Sequence, residues 1–221
     1  HWQQMDKAGH AFTAYYESVG AYHLLLWCGV DARKSLWYGG LTGFLLQTPI
    51  EILDGFSRKW GASPGDIVAN AAGSALFIGQ QAGWQEQRFR LKFSHAPTSF
   101  PEQRPDLLGS NAVQELLKDY NSQTYWLATP ANRVIPGADP LPEWLDVAAG
   151  YSANGMLGSQ RNPEAFRDQP RYRQYLLAPD IDISHFETRS RFVNNLLDVL
   201  SVLKVPLPGL RYSPENGFTT K

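Results

Sequence analysis

Two long uncharged stretches that are not apolar throughout constrain this chain most. Residues 35–50 and 67–85 carry no Asp, Glu, Lys or Arg. The first nonetheless holds Gln47 and Pro49, and the second holds Asn70, Gln80, Gln81 and Gln85. A membrane-crossing helix needs about 20 mainly apolar residues, so neither stretch is a convincing span by itself. A bundle that touches a membrane or is covered by a partner stays open. Residues 1–85 hold 5 basic and 6 acidic residues, against 30 charged residues in the other 136. This contrast divides the chain into a helical part, 1–85, and an appended helix, strand and loop region, 86–221. The expected fold class is mainly α: a three-helix bundle core with a C-terminal α/loop region and a few short strands.

Local signals set the expected elements. The first helix runs from about Asp6 to Cys28, and the second from Asp31 or Ala32 to about Phe56. Pro49 is expected to kink the second, because proline lacks a backbone donor and crowds the preceding turn. Ser63-Pro64-Gly65-Asp66 starts the third helix, which extends to about Ala82. Ser63 serves as N-cap, Pro64 occupies the first helical position and Asp66 lies three residues after the cap. Gly39 and Gly43 allow a close helix approach. Alternation over Arg88–Phe93 predicts a strand with one apolar face. A helix is expected over Asn111–Tyr120, a proline-rich loop over 129–142 and a short helix or strand over Trp144–Ala149. A turn is expected at Asn154-Gly155, an extended segment over Tyr172–Ile183 and a last helix over Glu187–Leu203. Cys28, the only cysteine, lies in an apolar run and reads as a buried structural thiol.

The chemistry-bearing residues fall on helical faces. On the second helix Gly40, Gly43, Gln47, Glu51 and Asp54 share a face at steps of three and four. Asp66, Asn70 and Gly73 share one on the third, and Asp6, His10, Thr13 and Glu17 one on the first, with Lys7 beside them. If these faces converge they form a polar centre of Lys7, His10, Gln47, Glu51, Asp54, Asp66 and Asn70. Several carboxylates in a low-dielectric site require compensation. Lys7 is therefore expected to pair with Glu51 or Asp54, His10 to serve another acid, and Asn70 to join the network. The alternative is that these faces simply meet solvent, with Asp66 serving only its helix start.

The same residues carry a resemblance. Asp6-Lys7-Ala8-Gly9-His10, Gln47 with Glu51, and Ser63–Asp66 with Asn70 and Gly73 resemble the VanZ-like pattern of small helical envelope proteins. Glu51–Ser57, Trp60–Ser63, Lys118–Leu127 and Ala149-Gly150-Tyr151 resemble a domain-of-unknown-function family of predicted periplasmic lipoproteins. That resemblance implies a periplasmic, outer-membrane-associated protein with no established reaction. It further implies the type IX secretion translocon as a partner, with the chain as accessory or plug subunit. VanZ-like proteins are integral to the membrane, whereas this chain is too polar after residue 85 to be so throughout.

Several functions are disfavoured. The net charge is −1 and no basic block stands out, so nucleic acid is not an expected partner. Gly61-Ala62-Ser63-Pro64-Gly65 fits the G-x-S-x-G spacing, but Pro64 has no N–H to donate to an oxyanion. There is no H-E-x-x-H, His23, His95 and His185 are scattered, and an oxygen-rich site from Glu51, Asp54 and Asp66 is conceivable but lacks diagnostic spacing, so no metal or cofactor is expected. Arg171 and Arg173 beside Tyr172 and Tyr175 read as an alternating strand face. The 28 aromatic residues exceed what one small core needs and suggest an interface. The chain starts at His1 and reads as a processed or trimmed product. The expected role is non-enzymatic, structural or interactive, with an outer-membrane or periplasmic protein as partner. The alternative is a membrane-proximal hydrolase or lipid-modifying enzyme using the polar centre.

Overall fold

Three long helices open the chain: α1 (Met5–Trp27), α2 (Ala32–Gly55) and α3 (Pro64–Trp84). The computed structural model describes residues 1–56 and 63–220, without the side chains of 54 and 55. Helix α2 continues through Pro49. Asp6–Arg88 form one unit, and His1–Met5 with Phe89–Lys221 form a second.

In the helical unit, α1 is pressed between two glycine faces. A Cβ at Gly43 would lie 1.9 Å from the Ala14 carbonyl oxygen, and one at Gly39 2.6 Å from the Tyr22 backbone. From α3, a Cβ at Gly73 would lie 2.2 Å from the Ala11 carbonyl oxygen. Where the backbones come this close the interior holds small and polar groups, with Tyr15, Tyr22 and Phe77 packed beside them. Ser18 donates from its hydroxyl to Gly40 O at 2.7 Å, and Ser74 Oγ accepts from Phe44 N at 2.9 Å. At the far end Tyr15 and Gln80 both donate to Gln87, and Gln81 donates to Tyr22.

Cys28 is exposed rather than buried, because α1 stops at Trp27 and the thiol sits on the turn beyond it. Asn111 caps a helix by accepting from Gln114 N. The final helix is shorter than expected, running Arg191–Leu200 with Ser190 as its cap.

The larger correction is to the fold class. The second unit is built on a six-stranded antiparallel meander rather than a few short strands, so the chain is not mainly α. Its strands are β1 (Arg90–His95), β2 (Gln123–Pro130), β3 (Leu145–Asn154), β4 (Tyr172–Ile181), β5 (Leu210–Ser213) and β6 (Gly217–Thr220). The expected loop over 129–142 contains the end of β2 and a helical turn, Ala131–Val134. Period-two alternation fails to announce β2 because it is buried at most positions on both faces.

Register explains the aromatic surplus. Phe93, Tyr125, Tyr151, Tyr175, Tyr212 and Phe218 are successive cross-strand partners, a row across all six strands. Directly opposed residues share a sheet face. Two positions along on that face, Leu91, Leu127, Ala149, Leu177 and Leu210 form a second row. Tyr175, Leu177, Leu210, Tyr212 and Phe218 are exposed. A cavity of about 540 Å³ opens among Ile135, Leu141, Leu145, Val147, Leu177 and Leu210.

The opposite face buries charge. Trp126, Ala128, Ala148, Leu176 and Ala178 form its apolar patch, and Gly150 leaves room for the Trp126 ring. Beside it Lys92, fully buried, donates to Asp180 at 2.6 Å, while Arg90 holds Asp146 at 3.0 Å and also Asp182. Arg90 and Lys92 therefore do not form a solvated strand face. Burial pushes the Asp146 carboxyl up to about 6, against the pull of Arg90 and Lys92. Burial works in the same sense on Asp182, but Arg90 and the Ser184 hydrogen bond hold it below the ordinary carboxylate value.

Two predictions follow from packing and burial. Gly43→Ala should lower stability by about 1–3 kcal/mol through overpacking. Gly79→Ala, which meets nothing within 4 Å, should raise it by about 0.4–1 kcal/mol. Urea unfolding of the pair separates close approach from helix propensity. An unfolded aspartate ionises near pH 3.9, so between about pH 4 and 6 folded Asp146 keeps a proton that the unfolded chain has lost. Its contribution is full below that window and is lost as pH rises through it. Asp146→Asn should therefore gain stability relative to wild type as denaturation is repeated from pH 4 to 7.

Candidate functional site

The three polar faces meet at the end of the helical unit where α1 and α3 begin. Lys7 Nζ lies 3.0 Å from Asp66 Oδ1 and 3.3 Å from Asp6 Oδ2. Its stem crosses the start of α3 where a Cβ on Gly65 would lie 2.6 Å from Lys7 Cε. The next layer joins all three helices. His10 Nε2 lies 3.2 Å from Glu51 Oε1, and His10 Nδ1 lies 3.2 Å from Asn70 Oδ1. A further layer has Gln47 donating to Glu17 at 2.8 Å. Asp6, Gln47, Glu51, Asp66 and Asn70 are buried, with Glu51 only 3% exposed.

Six of the seven expected centre residues are thus placed. Lys7 pairs with Asp66 and Asp6, not with Glu51. His10 takes Glu51, and Asn70 joins through the imidazole. Gln47 meets Glu17, a residue the sequence reading put on the α1 face but not in the centre. Asp54 belongs to α2, but its side chain lies outside the described residues, as do Gly61 and Ala62 of the G-x-S-x-G stretch. Ser63 stands at the N-cap with extended backbone and Pro64 follows it, yet its side chain makes no capping hydrogen bond. The start of α3 is held by the Ser63 carbonyl, which accepts from Asp66 N at 2.9 Å. Asp66 therefore does more than serve a helix start: its carboxylate is spent on Lys7.

Electrostatics follow the geometry. Burial disfavours the charged Lys7 amine, but the Asp66 hydrogen bond and the charges of Asp6 and Asp66 outweigh it and raise its pKa. Burial raises Glu17, with the Gln47 hydrogen bond opposing. One ligand atom each from His10, Glu51 and Asp66 lie within 4.8 Å of one another, close enough to converge on a cation.

The sequence reading missed the second buried polar system, Arg90, Lys92, Asp146, Asp180 and Asp182. The alternating basic residues of β1 were its only local signal, because their partners lie 56 to 92 residues away. The motif Lys118–Leu127 is largely structural. Asn121 donates to Asp119 and to Met156 O, and accepts from Met156 N.

Lys7→Met should lower stability by about 1–3 kcal/mol at neutral pH, the cost of leaving buried acceptors unsatisfied. Thermal unfolding checks this; an unchanged transition would mean that Asp6 and Asp66 do not depend on Lys7.

Residues 3–79, spanning α1, α2 and most of α3, match the model of a family described as "Predicted periplasmic lipoprotein (DUF2279)". The helical unit is thus similar to predicted periplasmic lipoproteins of unknown function. No curated protein and no solved structure matches the chain. Among the described residues no helix is long and apolar enough to cross a membrane.

Proposed function

We propose that this chain is a non-enzymatic interaction protein of the cell envelope, acting on the periplasmic side of the outer membrane. One observation carries the reading: the helical unit buries many polar side chains beside Tyr15, Tyr22 and Phe77, while the large aliphatic residues of α2 face outward. Its interior holds Asp6, Ser18, Gln47, Glu51, Asp66, Asn70 and Ser74. Its exterior on α2 carries Leu45, Leu46, Ile50, Ile52, Leu53 and Phe56, with Leu53 68% and Phe56 84% exposed. A contiguous apolar exterior of this kind marks a surface that functions covered. The likeness of residues 3–79 to predicted periplasmic lipoproteins supports the compartment.

The sheet unit adds to the argument with its exposed aromatic and aliphatic rows. The Arg191–Leu200 helix adds a stripe of Phe192, Leu196 and Val199, also exposed. Aromatic-rich patches are what protein partners bury at the centre of interfaces. The narrower form of the reading is an accessory or plug subunit of a protein secretion translocon. Its support is the exposed apolar surface together with the likeness of residues 3–79 to predicted periplasmic lipoproteins.

The test uses the full chain. Wild type should self-associate in detergent-free buffer and cross-link to an envelope protein in intact cells. Leu46→Glu with Leu53→Glu, both on exposed positions, should give a monomer with unchanged helicity and no cross-link. If wild type is monodisperse without detergent and cross-links to nothing, the interaction reading fails. A wild type that instead partitions into protein-free vesicles would assign the surface to lipid.

A further inference from the structure

The charge and hydrogen-bond inventory of the polar centre carries a second conclusion, independent of the docking role. Asp6, Glu51 and Asp66 bring three buried carboxylates, and Lys7 brings one ammonium. A divalent cation would offset part of the negative charge that these carboxylates bring. The imidazole is set for that cation. Its Nδ1 lies 3.2 Å from Asn70 Oδ1, and with the proton on Nδ1 the Nε2 lone pair is left for a metal. In that tautomer Nε2 stands 3.2 Å from Glu51 Oε1, a spacing that two ligands of one metal ion can share. Asn70 then plays the outer part usual at metal centres, fixing the tautomer of a ligating histidine. Its own Nδ2 is fully buried without a partner, a donor that a metal-bound hydroxide would satisfy. Lys7 engages Oδ1 of Asp66 at 3.0 Å.

We propose that His10 Nε2, Glu51 and Asp66 form a divalent metal site joining α1, α2 and α3. One imidazole with two carboxylates suits a borderline first-row ion such as zinc, which takes nitrogen and oxygen ligands in four-coordinate geometry, better than magnesium or calcium. The metal would bind the folded helical unit and stabilise it by mass action.

The experiment uses the full chain carrying Cys28→Ser, which removes the exposed thiol as a competing ligand, after dialysis against a chelator. Zinc alone is the first probe and cobalt(II) the second. The expected result is one equivalent of zinc bound, a raised unfolding temperature, and visible cobalt absorption of a low-coordinate site, with excess magnesium failing to displace it. His10→Gln and Glu51→Gln should abolish the cobalt bands while keeping the far-ultraviolet circular dichroism of the parent. Asn70→Ala should weaken zinc binding about 10- to 100-fold, as loss of an outer-shell partner does. The proposal is overturned if the parent shows neither a zinc-dependent thermal shift nor cobalt bands. It is equally overturned if both persist unchanged in well-folded His10→Gln and Glu51→Gln variants.

Discussion

The squeeze on α1 governs the helical unit. Gly43 and Gly39 on one side and Gly73 on the other bring two helices so near its backbone that a Cβ at any of them would clash with it. At that spacing there is no room for the interdigitated leucines that fill an ordinary bundle. Small hydroxyls and a few long polar side chains share the interior with Tyr15, Tyr22 and Phe77, and most of these polar groups find a partner on a neighbouring helix. The layers Lys7–Asp66, His10–Glu51–Asn70, Gln47–Glu17 and Ser18–Ser74 are the consequence. With the polar groups consumed inside, the large apolar residues of α2 have only the outside left.

The sheet unit solves a different problem with similar means. One face buries Lys92 and Arg90 among three aspartates beside a modest apolar patch, so its charges are neutralised by pairing rather than by water. Desolvation there exceeds the attraction at Asp146 and loses to it at Asp182, two outcomes within one cluster. The other face gathers one aromatic from every strand. Each unit thus buries paired polar groups beside its apolar core and leaves large apolar residues outward.

How much of this was legible depended on the range of the signal. The three long helices, the start of α3 after Ser63 and the shared faces of Lys7, His10, Glu51, Asp66 and Asn70 could be read because helical periodicity and cap chemistry act within a few residues. The choice of Asp66 rather than Glu51 for Lys7 could not, since both stand at plausible positions and only the relative height of the helices separates them. Cys28 was misplaced because an apolar run continues in the sequence one residue past the end of its helix.

The six-stranded sheet lay beyond local reading. β2 carries buried residues on both faces, and β3 buries Asp146, Ala148, Gly150 and Ser152 rather than large apolar residues, so neither shows the apolar alternation of a half-exposed strand. The sequence by itself determined where the chain is low in charge, where its helices start and which residues share their faces, because those depend on neighbours three or four positions away. Only the tertiary structure decided that six distant segments pair in one register, that Arg90 and Lys92 are buried against aspartates, and that His10 stands between Glu51 and Asn70. Each of those is settled by contacts between segments far apart in the chain, and the pairing energy that selects them has no counterpart in any local pattern.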